Sequence, residues 1–281
     1  MRKHLQNTGL FLVCLLFCLG VIEGAARIIE PDITFSPDAF PWLKRDAYLG
    51  WVNRPGNHDG FQIDVNGNRN TETEVLCLGD SGTFGIHKTN DGVFRFDMWT
   101  GRYTNAGVIG YNSLQVLRLL KDDAGAHKTV LVRVGWNDHA TEHTARMNES
   151  ALAPYLRYSA IGRMLMIRAT NIPIGTRPFV SPDKFRANIQ EIIHTARANG
   201  QRLAFVDYPI DTAKGADVMQ FCHRGQNLSI DDIGKVHRAY QDIIKAECAA
   251  NGIDYLRTDP TFSNEDGVHP DKSGMVAVHK V

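Results

Sequence analysis

The sequence has no excess of charge of either sign. Its 281 residues include 31 Lys and Arg against 31 Asp and Glu, and no basic run breaks this balance. Nucleic-acid-binding domains present clustered positive charge, so the pattern does not indicate nucleic acid or an anionic surface as partner. Repeats and low-complexity tracts are lacking too. With 43% apolar and 22% charged residues, the composition excludes general disorder and is typical of a globular protein with a sizeable core.

Cysteine is also scarce. Five cysteines in 281 residues are too few for a disulfide-built exported scaffold. Cys14 and Cys18 lie in an apolar segment, and Cys77 lies in a predicted core strand, where a buried free thiol is common. Cys222 and Cys248 can pair if the compartment is oxidising. The sequence does not give their separation, so this pairing stays open.

One long apolar run is present, at the N-terminus. A basic cap, Met1-Arg2-Lys3-His4, precedes Gly9–Ile22, which carries no charge. The run fits the apolar region of a signal peptide and is short for a membrane-spanning helix. Gly24-Ala25-Ala26 offers small residues for cleavage, whereas Glu23 beside them argues against it. We expect residues 1–26 to be a cleaved signal peptide or a retained signal-anchor that contacts a membrane, with the bulk of the protein periplasmic or secreted.

Residues 27–73 have no strong hydrophobic period. They contain four prolines and the pair Asn66-Gly67, which favours a tight hairpin turn. We predict that this segment is a lead-in with a small hairpin around Asn66-Gly67, which covers one edge of a main sheet or forms a wall of its site.

From Glu74 onward, apolar strands alternate with amphipathic helices, and residues 74–281 are expected to form the main domain. The predicted strands are Glu74–Leu78, Arg102–Asn105, Thr129–Val134, Arg202–Tyr208 and Ile253–Leu256. The predicted helices are Gly92–Thr100, Ser113–Lys121, Ser181–Asn199 and Ile230–Asn251. This alternation predicts a parallel sheet with helices on both faces. Residues 139–180 are too long for an ordinary loop and form an insertion with an amphipathic helix at Tyr155–Arg168, which packs on the domain, covers the site or touches a membrane.

The first predicted strand of this domain ends in a polar turn. Its apolar run, Val75–Leu78, is typical of a strand buried on both faces, and it stops at Gly79-Asp80-Ser81-Gly82. Two glycines around an acid and a hydroxyl allow a sharp turn that exposes one side chain. In open α/β sheets, ligands bind at this carboxyl end of the strands. Ser81 is therefore the candidate nucleophile, and Asp80 is expected to stabilise the turn.

A serine nucleophile needs a base and a group that orients the base. Asp266-Gly267-Val268-His269 lies in a Gly- and Pro-flanked loop after the last predicted strand. An acid and an imidazole three residues apart, with a glycine between them, can face the same point. His269 is thus predicted to take the proton of Ser81 while Asp266 holds the other ring nitrogen. The alternative is a loop histidine near a helix cap at Asp271.

Two further strand ends carry candidate donors for a developing oxyanion. The loop after the second strand, Asn105–Gly110, contains glycines that can present a backbone N–H. The loop after the third strand, Gly135-Trp136-Asn137-Asp138, offers the amide of Asn137. The alternatives are a flexible glycine turn and a strand-ending Asx turn. Trp136 is predicted to form a wall of the acyl or alcohol pocket, with core packing as the alternative.

Metal and nucleotide sites are not predicted. His139 and His143 lie four residues apart beside Glu142, a spacing that can bind a metal, but a third ligand with clear geometry is missing. The glycines of Gly79–Gly85 lack the Lys-Ser/Thr of a phosphate-binding loop. We therefore expect neither a metal nor a cofactor.

Taken in order, these motifs resemble the SGNH (GDSL-type) hydrolase superfamily, from about Glu74 to the C-terminus. The matching stretches are Gly79-Asp80-Ser81 with Gly85, Asn105-x-Gly107-x-x-Gly110, Gly135-x-Asn137-Asp138 and Asp266-x-x-His269. Gly82 stands where the family has leucine, a variant of bacterial, often membrane-anchored members. The lead-in Leu49-Gly50-Trp51 and the helix that begins within Arg177–Phe185 also resemble those members.

The resemblance implies a flavodoxin-like, three-layer α/β/α fold whose five-stranded parallel sheet has the order 2-1-3-4-5. It implies Ser81 as the nucleophile, His269 as the general base and acid, and Asp266 as the orienting carboxylate. The oxyanion hole would comprise the N–H groups of Ser81 and Gly110 and the side chain of Asn137. Gly110 is preferred to Gly107, because in the family the functional glycine precedes a polar pair, here Asn112-Ser113.

The activity that the resemblance implies is that of a serine ester hydrolase acting through an acyl-enzyme. Because an envelope location is expected, the first candidate substrate is a small acyl ester on a carbohydrate, such as an O-acetyl group. A lipid or a thioester is the next candidate. An O-acyltransferase that excludes water in favour of a sugar hydroxyl stays open. A non-catalytic envelope protein that keeps the fold is the alternative from another class.

Overall fold

The computed structural model describes residues 2–29, 34–36, 40–46, 48–58, 61–63, 67–68, 74–88, 94–96, 103–139, 158–169, 180–213, 229–257 and 268. The chain divides into two compact units. The first comprises Met1–Val52 and Arg146–Pro173, and the second comprises Asn53–Ala145 and Ile174–Val281.

Helices and strands alternate along the described part of the chain. The helices are α1 (Arg2–Ile29), α2 (Ser81–Phe84), α3 (Ser113–Asp123), α4 (Ala160–Ala169), α5 (Pro182–Ala198) and α6 (Ile230–Asn251), with a 3₁₀ turn at Asn137–His139. The strands are β1 (Thr34–Ser36), β2 (Phe40–Asp46), β3 (Gly50–Asn53), β4 (Gly56–His58), β5 (Phe61–Ile63), β6 (Val75–Gly79), β7 (Ile86–Lys88), β8 (Phe94–Phe96), β9 (Thr104–Asn105), β10 (Thr129–Arg133), β11 (Arg202–Val206) and β12 (Asp254–Leu256).

The first unit joins the N-terminal helix to the helix of the predicted insertion. Ser159 Oγ and the Ala160 N–H at the start of α4 donate to the Glu23 carboxylate of α1, at 2.8 and 2.7 Å. Arg27 pairs with Glu23 at 2.9 Å and donates to the carbonyl of Tyr158 at 2.8 Å. The carboxylate thus satisfies N–H donors that a helix start leaves without intrahelical partners. Polar contacts therefore hold α4 against the C-terminal part of α1.

Within α1, the segment Thr8–Ile28 is long and apolar enough to cross a membrane. Its 21 residues are almost wholly exposed, and a signal sequence near the N-terminus also meets this criterion of length and apolar composition. The helix runs without a break through Gly24-Ala25-Ala26, the small residues at the predicted cleavage region.

The second unit is built on the predicted sheet. Strands β12, β11, β10, β6 and β9 lie side by side in that order, and all are parallel. Numbered along the chain, the order is 2-1-3-4-5, so the predicted flavodoxin-like sheet is confirmed. The central strands are buried, with Leu76, Leu78, Val130 and Val132 at most 3% exposed, as expected for a sheet covered on its faces.

Helices flank the sheet, as in the predicted three-layer α/β/α class. Helix α3 contacts β6, α5 contacts β11, and α6 contacts β12. Their ends follow local signals: Asn112 caps α3, Ser181 with Pro182 opens α5, and Ser229 caps α6. The predicted helix at Ile230–Asn251 is confirmed at both ends, because the cap and the left-handed Gly252 fix them locally.

One local prediction was wrong. Residues Phe94–Phe96, inside the predicted helix Gly92–Thr100, form strand β8, which pairs antiparallel with β7. The two phenylalanines alternate with Arg95, a period of two that marks a strand. In the lead-in, β4 pairs antiparallel with β5, with His58 opposite Phe61. The hairpin predicted around Asn66-Gly67 lies mostly outside the described residues and stays a prediction.

Two further predictions have mixed outcomes. The insertion helix predicted at Tyr155–Arg168 is observed as α4 in the first unit, beginning at Ala160. Cys248 is a buried free cysteine. Its possible partner Cys222 lies outside the described residues, so the structure gives the pairing no support.

Candidate active site

Ser81 lies at the carboxyl end of strand β6, where the turn into α2 begins. Asp80 precedes it as the helix cap, and Asp80 Oδ1 accepts a hydrogen bond from the Gly82 N–H at 2.9 Å. Gly85 closes the turn in the left-handed conformation, at φ 95°, and its N–H donates to the Ser81 carbonyl at 3.0 Å. The turn is buried, with Ser81 6% exposed. Ser81 thus lies at the predicted strand end, but it is buried where the sequence predicts an exposed side chain, and Asp80 makes the predicted turn contact.

The loop after β9 packs directly on this turn. A methyl group on Gly107 would lie 2.4 Å from the Phe84 backbone nitrogen, so only glycine fits there. Asn105 ties the two segments together, because its Nδ2 donates to the Thr83 carbonyl at 2.8 Å. Its Oδ1 accepts from the Gly107 N–H at 2.9 Å. Gly110, in the left-handed region at φ 81°, lies three residues farther along.

The loop after β10 brings Asn137 to the same place. Its side chain is 7% exposed, and its Nδ2 donates to Asp80 Oδ2 and to the Tyr111 carbonyl, each at 3.1 Å. Asp80, Tyr111 and Asn137 follow three neighbouring strands, β6, β9 and β10. The carboxyl ends of these strands therefore converge as the sequence predicts, with the Asp80 carboxylate between the nucleophile turn and Asn137.

Trp136 packs away from solvent. It is 2% exposed and belongs to a hydrophobic cluster with Tyr208, Ile233 and Val268. This burial favours core packing over a pocket wall for Trp136, the alternative that the sequence left open.

The residues of the predicted base motif are only partly described. Val268 is fully buried in the Trp136 cluster, whereas Asp266 and His269 lie outside the described residues, as do His143 and Glu142. Among the described residues, no group of three or more His, Cys, Asp or Glu side chains could hold a metal ion.

Sequence reasoning missed two side chains of this neighbourhood. Tyr208, which follows β11, donates from its hydroxyl to Asp80 Oδ1 at 3.2 Å. The Arg133 guanidinium lies 4.0 Å from the centroid of the Tyr208 ring. A signal for Arg133 was present in the sequence, because it is the only charged residue of the apolar strand Thr129–Arg133.

Asp138 carries a second buried carboxylate, close enough to that of Asp80 for their charges to interact. Both of its oxygens accept from the Ser113 N–H at 3.1 Å, and Oδ1 also accepts from Ser113 Oγ at 2.5 Å. Asn188 in turn donates to Ser113 Oγ at 2.8 Å. Burial raises the pKa of Asp138 to about 7, although the hydrogen bonds from Ser113 favour its ionised form. The negative charge of Asp80 contributes to this rise.

Asp138→Asn is expected to make folding less sensitive to pH. The pKa of Asp138 is about 7 in the folded protein, above its ordinary value of 3.8, so the folded state binds the proton more tightly. As the pH rises from about 4 to about 8, wild type should lose stability relative to the variant, by on the order of a few kcal/mol. Urea unfolding of both proteins across this range measures the difference, and a difference that is independent of pH would contradict the prediction.

The chain matches no family model and no curated protein. Among solved structures it is similar to a GDSL-like lipase from Bacteroides thetaiotaomicron, with 16% identity, a TM-score of 0.46, and coverage of 73% of this chain and 85% of that one. It is also similar to an acetylxylan esterase from Geobacillus stearothermophilus, with 14% identity, a TM-score of 0.43, and coverage of 74% and 91%. The chain is thus similar to solved ester hydrolases at low identity, while its resemblance to the SGNH superfamily is carried by its own four motifs and by its 2-1-3-4-5 sheet.

Proposed function

We propose that this protein is a serine ester hydrolase of the SGNH type, which works through an acyl-enzyme on Ser81. One observation carries the proposal: the Asp80 carboxylate, next to Ser81 at the end of β6, binds the Asn137 amide from the end of β10. The nucleophile candidate and an oxyanion-hole candidate therefore share one anchor, although 57 residues separate Asp80 from Asn137.

His269 is proposed as the base and Asp266 as the group that orients it. Support comes from Val268, which is buried against Trp136 and Tyr208, the latter hydrogen-bonded to Asp80. Consecutive Cα atoms are about 3.8 Å apart. Because Val268 precedes His269 in the sequence, its contact with Tyr208 supports the role proposed for His269.

The oxyanion hole is proposed to consist of the N–H groups of Ser81 and Gly110 and the amide of Asn137. Gly107 is disfavoured as a donor because its N–H already binds Asn105 Oδ1. Both hydrogens of Asn137 Nδ2 have acceptors, Asp80 and the Tyr111 carbonyl. A developing oxyanion carries charge and is a stronger acceptor than a neutral carbonyl. It can therefore displace the Tyr111 carbonyl as the reaction proceeds.

The proposed reaction has two halves. Ser81 Oγ attacks the ester carbonyl while His269 takes its proton, and the tetrahedral intermediate places its negative charge on the former carbonyl oxygen. His269 returns the proton to the leaving alcohol, and the acyl group stays on Ser81. Water, deprotonated by His269, then attacks the acyl-enzyme, which releases the carboxylic acid and restores the Ser81 hydroxyl.

For the substrate we propose a small acyl ester, with an O-acetyl group of an envelope carbohydrate as the first candidate. The test incubates the protein with an aryl acetate and with an acetylated oligosaccharide, and measures released acetate while an acceptor glycan is titrated. Acetate release that is independent of acceptor supports a hydrolase. Acetyl transfer that rises with the acceptor concentration would instead indicate an O-acyltransferase. If the protein released no acetate, transferred no acetyl group and was not labelled by a fluorophosphonate, the proposal would be overturned.

We also propose that α1 is retained as a membrane anchor. Glu23 and Arg27 of α1 hold the start of α4, so cleavage near residue 26 would remove Glu23 from these contacts. The full chain with tags at both ends is expected to stay in the membrane pellet after alkaline extraction and to keep both tags. A soluble protein that begins after residue 26 would contradict this.

A further inference from the structure

Arg133 is a buried cation whose position calls for a physical explanation. It ends the central strand β10 and is 2% exposed. Its Nε and Nη2 find no hydrogen-bond acceptor in the described part of the chain. Removing a guanidinium from water costs several kcal/mol unless other charges or dipoles compensate. One compensation is the face of the Tyr208 ring, 4.0 Å from the guanidinium carbon, in a cation–π contact.

The second compensation is the carboxylate of Asp80. Tyr208 links the two groups, because its ring contacts the guanidinium while its hydroxyl donates to Asp80 Oδ1 at 3.2 Å. A cation on the ring makes the phenol a stronger donor, since it withdraws electron density from the oxygen. The negative charge of Asp80 also offsets the buried positive charge of Arg133.

Residue 82 is where these groups meet. A methyl group on Gly82 would lie 2.9 Å from Arg133 Nη1, 3.0 Å from the Tyr208 hydroxyl oxygen and 3.4 Å from Asp80 Oδ1. The leucine that the SGNH family carries at this position would need the volume that the guanidinium occupies. The Arg133 side chain thus occupies the space beside Gly82 that a leucine side chain would need, and this gives a local reason for glycine in place of leucine.

Two other titratable groups in the described part of this neighbourhood, His237 and Asp138, do not replace this pairing. Burial, with smaller contributions from the charges of Arg133 and Arg238, lowers the pKa of His237 in α6 to about 4, so this imidazole is neutral at neutral pH. Asp138 has a pKa raised to about 7, so it carries only part of a negative charge there. Among the described residues of this buried neighbourhood, Asp80 and Arg133 are thus the groups of opposite charge.

We propose that Arg133 is a positioning residue of the esterase reaction: together with Tyr208 it fixes the position of the Asp80 side chain. Asp80 in turn fixes the Ser81 turn through the Gly82 N–H and fixes Asn137 through its amide. This inference rests on the proposed function, because it assigns to Arg133 the alignment of the nucleophile with the oxyanion hole. Arg133 itself does not touch the substrate.

The test is a steady-state assay with an aryl acetate. Arg133→Met, which keeps the length but removes the charge, is expected to lower kcat about 10- to 100-fold while KM changes less than about threefold. Arg133→Lys should recover most of kcat, since it restores the charge. Arg186→Met, which removes an arginine paired with Glu247 on the flanking helices, is the matched control and should stay near wild type.

Tyr208→Phe provides a second measurement if Arg133→Met does not fold, because the variant keeps the ring and removes only the hydroxyl. Its kcat should fall about tenfold with KM unchanged. Wild type and Ser81→Ala are assayed in parallel. Wild type no faster than Ser81→Ala would overturn the proposed function and this inference with it. An active wild type with kcat unchanged in Tyr208→Phe or in a folded Arg133→Met would overturn the inference alone.

Discussion

Ser81→Ala is expected to lower kcat for ester hydrolysis by about 10⁴- to 10⁶-fold and to abolish labelling by a fluorophosphonate probe. The substitution removes only Oγ, the atom that forms the acyl-enzyme, and the remaining rate comes from the oxyanion hole and from binding. The turn should persist, because Asp80 and Gly85 hold it through backbone groups. Thermal unfolding should therefore stay close to that of wild type, which separates loss of chemistry from loss of fold.

Thr83→Ala is the matched control for this change. It removes a hydroxyl from the same helical turn, and Thr83 Oγ1 has no hydrogen-bond partner within the described residues. Its kcat is expected to stay within about tenfold of wild type, with labelling retained. Equal hydrolysis and equal labelling in wild type and Ser81→Ala would remove Ser81 from the mechanism, whatever the control shows.

The sheet and most helix ends could be predicted because their signals are local. Apolar runs of the length of Val75–Gly79 identify buried strands, and cap residues such as Ser229 fix a helix end within one turn. The resemblance then supplies the strand order, which local signals do not contain. Where two local patterns compete, as at Phe94–Phe96, the choice between helix and strand depends on a pairing partner, here β7. That partner is not visible in the segment itself.

The candidate site also contains features that could be predicted from the sequence and features that could not. The polar turn at Ser81 and the amide of Asn137 could be predicted, because glycine and asparagine after an apolar run mark a strand end. The contact of Tyr208 with Asp80 could not, because 128 residues separate them and only the assembled sheet brings them together. The proposed role of Arg133 depends on that contact. In the sequence, its charge within an apolar strand was the one sign that this residue is unusual.

His269→Ala is expected to lower kcat by nearly as much as Ser81→Ala, because nucleophile and base act as one unit and neither works without the other. The buried Val268 supports this expectation, since it packs on Trp136 and Tyr208 beside the nucleophile turn. Asp266→Asn should cost about one to two orders of magnitude less, because it impairs the orientation and charge support of the imidazole without removing the base.

The order of the three losses tests the triad more sharply than any single variant. If His269 had only a structural role in its loop, His269→Ala would lower kcat slightly, and by about as much as His194→Ala. His194 is a histidine on the exposed face of α5. The triad instead requires a large loss at residue 269, a smaller one at 266 and none at 194. A kcat for His269→Ala within about tenfold of wild type would exclude His269 as the base. Because hydroxyl groups are poor nucleophiles at neutral pH without a base, the base would then have to come from another residue near Ser81.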